Sequence, residues 1–150
     1  KPGIRINKKD AYEHIFGYTV LNDISARDLQ RNHKQFFLGK SLPGACPIGP
    51  CIVTKDEIEN PHDLEISCKV NGKIKQESNT RYQIFDIPTQ IESISRSTYL
   101  MPGDIIATGT PSGVGFARTP PEFLKDGDSV ECEIEKIGKI INRVVNRSGL

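Results

Sequence analysis

The run Leu64-Glu65-Ile66-Ser67-Cys68-Lys69-Val70, followed by Asn71-Gly72 and then Lys73-Ile74-Lys75-Gln76-Glu77, constrains this chain more than any other segment. Its apolar and polar residues alternate with a period of two, which turns one side of a strand toward a core and the other toward water. Asn-Gly at the join supplies the two positive-φ positions that a two-residue hairpin needs. The stretch therefore predicts an antiparallel hairpin whose apolar face must be covered by a further layer of structure.

Other segments follow the same pattern. Phe16-Gly17-Tyr18-Thr19-Val20-Leu21 is aromatic and β-branched, and predicts a strand ending at Asn22-Asp23. Val130 to Ile137 and Ile140 to Val145 predict two strands about a Gly138-Lys139 turn. Pro102-Gly103 turns the chain into Asp104-Ile105-Ile106-Ala107-Thr108, read as a short strand. Helical signals are short. They cover Lys8 to Ile15, a segment capped by Ser25 and running through Arg27, Asp28, Leu29 and Gln30, and Thr89 to Ser97 behind Pro88, where Ile91 and Ile94 share a face. From Phe36 to Pro50 glycine and proline interrupt every period, which predicts a long loop of the kind that carries function. Arg147-Ser148-Gly149-Leu150 reads as a frayed tail. Strands that recur without regular helical crossovers predict a single β-rich α+β domain rather than a parallel sheet.

Composition narrows the partners. Twenty Lys and Arg stand against 19 Asp and Glu, so no strong attraction to nucleic acid or an anionic membrane is expected. No apolar run approaches the roughly 20 residues that span a bilayer. The chain opens Lys1-Pro2-Gly3 without an initiating Met, a basic leader or an apolar signal core, and reads as part of a longer protein. Cys46, Cys51, Cys68 and Cys132 lack the paired spacing of a zinc site, and read as free, mostly buried thiols of a cytoplasmic protein.

Three places carry chemical potential. Asp23 ends a strand at the mouth of a helix, where its carboxylate can serve as a ligand for a hard divalent cation or simply as a cap or ion-pair partner of Arg27, four residues on. Lys40, in Gly39-Lys40-Ser41, can neutralise an enolate or carboxylate, or remain a solvated loop lysine. Gly109-Thr110-Pro111-Ser112-Gly113-Val114-Gly115 allows backbone amides to approach an anion, or forms a plain tight turn, and it lacks the Lys-Ser/Thr ending of a phosphate loop. His14, His33 and His62 are scattered and belong to no nucleophile motif, with His33 nearest the Lys40 loop.

Taken together, Asn22-Asp23-Ile24-Ser25-Ala26-Arg27-Asp28-Leu29-Gln30, Phe37-Leu38-Gly39-Lys40-Ser41, Pro47-Ile48-Gly49-Pro50 and Gly103-Asp104-Ile105-Ile106-Ala107-Thr108-Gly109-Thr110-Pro111-Ser112-Gly113-Val114-Gly115 resemble the fumarylacetoacetate hydrolase family in order and spacing, from about Asp10 to Val145. The resemblance implies a β-sandwich-like roll, a homodimer, and a Mg2+- or Mn2+-dependent enzyme working on small 2-oxo acids through an enolate. It implies metal ligation by Asp23, catalytic roles for Lys40, Arg27 and Gln30, and substrate contacts from Thr110, Gly109, Arg27 and Lys40. The family's Glu-x-Glu metal ligands and the lid residues that activate water have no match in residues 1–150, and no Glu-x-Glu precedes Asp23. These 150 residues alone are therefore expected to be metal-depleted and inactive, and to associate through apolar surface. A catalytically silent binding or structural homologue is the alternative reading.

Overall fold

A computed structural model describes residues 1–33 and 35–146. The predicted frayed tail at 147–150 lies outside the described residues. The predicted hairpin is present, with β3 (Glu65–Val70) pairing antiparallel with β4 (Lys73–Asn79). Asn71 and Gly72 at the turn have φ of 50° and 76°. A bulge between Cys68 and Lys69 shifts the register of this pair. Two later strands, β5 (Ser129–Ile134) and β6 (Gly138–Arg143), extend the hairpin into a four-stranded antiparallel sheet in the order β4-β3-β5-β6.

The two faces of this sheet differ. Lys69, Glu131 and Lys139 share one face, where Lys69 Nζ lies 3.0 Å and Lys139 Nζ 3.7 Å from Glu131 carboxylate oxygens. The other carries Ile66, Cys68, Val130, Cys132, Ile134 and Ile140, following the two-residue alternation. Against this apolar face lies a second, two-stranded antiparallel sheet of β1 (Gly17–Leu21) and β2 (Ile48–Thr54). Val20, Ile58, Leu64, Ile137 and Ile140 are buried between the layers, with Tyr18, Val53, Cys132 and Ile134 packed around them. Desolvation in this core pushes the Tyr18 phenol up to about 12. At Thr19 the β1–β2 register slips, and the Thr19 hydroxyl donates to the Cys51 carbonyl at 2.8 Å.

A smaller cluster of Ile6, Ala11 and Ile91 joins a 3-10 segment, Lys8–His14, to α3 (Ile87–Ser95). Asp86 caps α3 by accepting from the Thr89 amide at 2.8 Å, and Pro88 occupies the first turn as predicted. The fully buried Ser95 accepts from the Ile6 amide at 2.9 Å, which ties the two pieces together.

Several expectations change. The short helix expected over Lys8 to Ile15 is present as a 3-10 segment, Lys8–His14. Asp104 to Thr108 joins no ladder among the described residues, and Ile105 is 57% exposed. The β5–β6 turn falls at Glu135-Lys136-Ile137 rather than at Gly138-Lys139, with Ile134 facing Gly138 and Lys136 at φ 63°. The predicted loop from Phe36 to Pro50 contains a four-residue helix, α2 (Phe37–Lys40), and the start of β2. Ser25 does not cap α1 (Arg27–His33); its hydroxyl donates back to the Asp23 carbonyl at 3.3 Å. Among the described residues no helix is long and apolar enough to cross a membrane.

The layered core makes a direct prediction. Leu64 is 2% exposed in the main cluster, so Leu64→Ala should lower stability by about 2–5 kcal/mol. Urea unfolding of the intact protein measures this as a lower midpoint at an unchanged slope.

Candidate active site

The site begins where β1 ends. The Asn22 amide donates to the Pro47 carbonyl at 3.1 Å and the Ile24 amide to the Ala45 carbonyl at 3.0 Å, so the chain stays extended past Leu21 and presents Asp23 at a fixed place. α1 then starts at Arg27. Helix α2 lies against it, with the Ala26 amide donating to the Gly39 carbonyl at 2.9 Å. Gly39 is buried, and a Cβ there would sit 2.9 Å from both the Ala26 carbonyl oxygen and the Gln30 Cβ. Only glycine allows this approach, and the approach carries the next residue, Lys40, onto Asp23. Their side chains form an ion pair that keeps partial access to solvent.

Arg27 is held from two directions. Its guanidinium donates to the Gln30 amide oxygen at 2.7 Å and lies 4.2 Å from the centre of the Phe116 ring, a cation–π distance. A cavity of about 220 Å3 takes Asp23, Arg27, Lys40, Gly109 and Thr110 into one lining. Five of the six predicted site residues are thereby brought together. Gln30 is not among the lining residues and stands behind Arg27 as its hydrogen-bond partner. A wider cavity of about 650 Å3 adjoins it, sharing Asn22, Asp23, Arg27, Cys68, Gln76 and Val114.

The glycine loop is fastened to β4 by residues that sequence reading did not single out. The Gln76 side-chain amide donates to the Thr110 hydroxyl at 2.8 Å and to the Pro111 carbonyl at 2.7 Å. Arg118 donates to the Gly113 carbonyl at 3.1 Å and to the Lys75 carbonyl at 2.6 Å. Gly113 has φ of 101°, and a Cβ on it would fall on the Lys75 carbonyl oxygen. The Lys75 ammonium in turn holds the Glu122 carboxyl below its usual range. Gln76, Arg118 and Phe116 carry no spacing signal that could have identified them, since each meets its partner only through the fold.

His14 and His62 stay outside this arrangement. His14 Nδ1 lies 3.0 Å from the Lys1 carbonyl oxygen and His62 Nε2 3.2 Å from the Tyr12 hydroxyl oxygen. His33 ends α1. The cysteines also differ from expectation: Cys46 and Cys51 are exposed, and the thiols that approach one another are Cys68 and Cys132, at 3.7 Å.

Among the described residues no group of three or more His, Cys, Asp or Glu side chains gathers closely enough to hold a metal ion. Asp23 contributes one carboxylate, and Lys40 already neutralises it. A hard divalent ion draws its hold from several oxygen ligands. This donor set does not by itself make a metal centre.

Comparison with known proteins shows the family of the chain. The family model described as fumarylacetoacetate (FAA) hydrolase, C-terminal, matches residues 1–145. The chain belongs to the fumarylacetoacetate hydrolase family. It is 52% identical over 144 residues to oxaloacetate tautomerase YisK of Bacillus subtilis, covering 96% of this chain and 48% of that protein. Human mitochondrial oxaloacetate tautomerase FAHD2A is 50% identical, over 97% of this chain and 47% of its own length. A fumarylacetoacetate hydrolase from Exiguobacterium antarcticum superposes with a TM-score of 0.95 at 46% identity, over 98% of this chain and 53% of that one. A 5-carboxymethyl-2-hydroxymuconate delta-isomerase from Mycobacterium smegmatis gives a TM-score of 0.89 at 40% identity, over 99% and 55%. The chain spans about half the length of the curated relatives it matches.

Family membership and the geometry at Gly39 meet in one prediction. Gly39→Ala should push α2 off α1 and open the Asp23–Lys40 pair while leaving the sheet intact. Amide exchange should rise in residues 37–41 and stay unchanged in β3 and β5.

Proposed function

We propose that this chain is the catalytic part of an enzyme that binds a small 2-oxo acid and stabilises its enolate. The observation that carries this reading is the common cavity of Asp23, Arg27, Lys40 and Thr110. Two cationic side chains and a hydroxyl converge there, which suits an anion with a carboxylate at one end and developing negative charge at the other. Arg27 and Thr110 hold the substrate carboxylate, with Gly109 leaving room for it. Gln30 acts as a positioning residue, since it fixes the Arg27 guanidinium. Lys40 faces the C2 oxygen.

When a proton leaves C3, charge moves onto the C2 oxygen, and an ammonium about 4 Å away lowers its energy by about 4 kcal/mol at the effective dielectric of a protein surface. Protonation of that oxygen gives the enol and the reverse path returns the ketone, while breakage of the bond beyond C3, in place of proton loss, leads to the same enolate in cleavage or decarboxylation. Names of the relatives support exchange on an oxaloacetate-like diacid as the reaction, with isomerisation of a hydroxymuconate-type diacid close to it chemically. Hydrolysis is represented by a maleylpyruvate hydrolase from Sphingobium with a TM-score of 0.84 at 36% identity.

The cofactor in this proposal is Mg2+ or Mn2+, with Asp23 as one oxygen donor and the remaining carboxylates supplied from outside residues 1–150. An ion held there would supply further positive charge to the site. The four free cysteines suit a reducing compartment, the cytoplasm in our reading. A homodimer is proposed from the resemblance to the family, and the apolar side chains open to burial include Phe37, Ile84 and Phe85, exposed at 74%, 91% and 63%.

Lys40→Met in the intact protein should lower kcat for oxaloacetate tautomerisation by about 10^2–10^3, the size of one lost oxyanion donor. KM should change little, because the charge Lys40 answers builds up mainly in the transition state. Asp23→Ala should abolish stimulation by Mg2+ and Mn2+. Residues 1–150 alone should show neither activity nor metal response. A Lys40→Met protein as active as the parent would remove Lys40 from the mechanism, and an intact parent without turnover would favour the silent binding homologue instead.

A further inference from the structure

One pair of side chains in the cavity wall plays no part in the proposed reaction. Cys68 on β3 and Cys132 on β5 are direct partners across the ladder, and both line the smaller cavity. Their sulfurs are 3.7 Å apart, with the Cys132 thiol donating to Cys68. Ladder hydrogen bonds on either side run from the Glu135 amide to the Glu65 carbonyl, 2.9 Å, and from the Asn71 amide to the Ser129 carbonyl, 2.8 Å. Because hydrogen-bonded pairs alternate along an antiparallel ladder, these two make Cys68 and Cys132 a non-hydrogen-bonded pair, the kind with closer side chains and Cα atoms about 4.5 Å apart. That spacing lies within the range a disulfide spans.

We propose that Cys68 and Cys132 form an oxidisable dithiol, a modification site through which an oxidant of the peroxide class closes a cross-strand disulfide in the cavity wall. Cys68 is the attacking group: its thiolate displaces hydroxide from the peroxide, forming a sulfenic acid and breaking the O–O bond. The Cys132 sulfur then attacks that sulfur, the S–S bond forms, the S–O bond breaks, and the oxygen leaves as water after taking up the thiol proton. Two thiols and one hydrogen peroxide give one disulfide and two waters. The order follows from the hydrogen bond, since accepting from Cys132 holds the Cys68 thiol below its usual range while the same contact and burial push Cys132 up.

The position gives the modification a consequence. Gln76, Cys68, Cys132 and Ile140 form one row across the four strands by register. Gln76 at one end holds Thr110 and Pro111, and Ile140 at the other is part of the core. Drawing the two sulfurs from 3.7 Å to the roughly 2 Å of a disulfide tightens the middle of this row.

The test is peptide mapping of the intact protein after hydrogen peroxide treatment, with no substrate present. The expected result is a peptide joining Cys68 to Cys132, lighter by two hydrogen atoms and separated again by dithiothreitol. In Cys132→Ser the sulfenic acid should stop at Cys68 and be trapped by dimedone, whereas Cys68→Ser should give no trapped Cys132. Free Cys68 and Cys132 after treatment, with oxidation only at exposed Cys46 or Cys51, would overturn the proposal. Mapping of the parent protein decides this even where a serine unsettles the core, and it is independent of the reaction proposed above.

Discussion

The close contact of α2 on α1 at Gly39 is the constraint on which the site depends. One missing methyl lets the Gly39 carbonyl reach the Ala26 amide, and that distance sets where Lys40 stands. A lysine placed so near an aspartate has two uses. In the free protein each charge answers the other. With an anion in the cavity the ammonium has a second acceptor within reach, so it can turn to new negative charge without first being brought out of bulk water. Arg27, fixed between Gln30 and Phe116, is similarly ready before any ligand arrives. Preorganisation of this kind keeps the ordering of long, flexible side chains out of the binding step.

The four-stranded sheet makes the second half of the arrangement. Its charged face is satisfied by the Lys69–Glu131–Lys139 group, which leaves the other face free to carry both core and cavity. Ile140 and Ile134 serve the core, while Gln76 reaches out to hold the glycine loop. Among the described residues the loop joins no sheet, and its position depends on Gln76 and Arg118. Thr110 therefore keeps its place through side-chain hydrogen bonds to β4 and not through strand pairing.

Much of this was legible in the sequence where the signal was local. Asn71-Gly72 between alternating strands fixed a hairpin because turn geometry and burial pattern agree there, and Pro88 marked the start of α3 for the same reason. Asp104 to Thr108 misled because a β-branched run becomes a strand only beside a partner, and the sequence does not say where the partner is. α2 is only four residues long, too short for a periodic signal. Lys136 takes a positive φ that nothing in its side chain advertises, so the sequence points to the glycine at 138 and the β5–β6 turn falls before it. At the site, Asp23, Lys40 and Thr110 are each ambiguous alone and became readable only as an ordered set. Gln76, Arg118 and the Cys68–Cys132 pair could not be read at all, because their contacts join segments 34 to 64 residues apart.

The central claim is that Lys40 and Thr110 face one anion across the cavity that Asp23 borders. Its most direct test is a crystal structure of the intact protein with oxalate, a planar dianion shaped like the enolate of a 2-oxo acid. The account predicts one oxalate within hydrogen-bond distance of both the Lys40 ammonium and the Thr110 hydroxyl, with Arg27 on its carboxylate. An oxalate bound elsewhere, with the cavity between these residues vacant of it, would contradict the account.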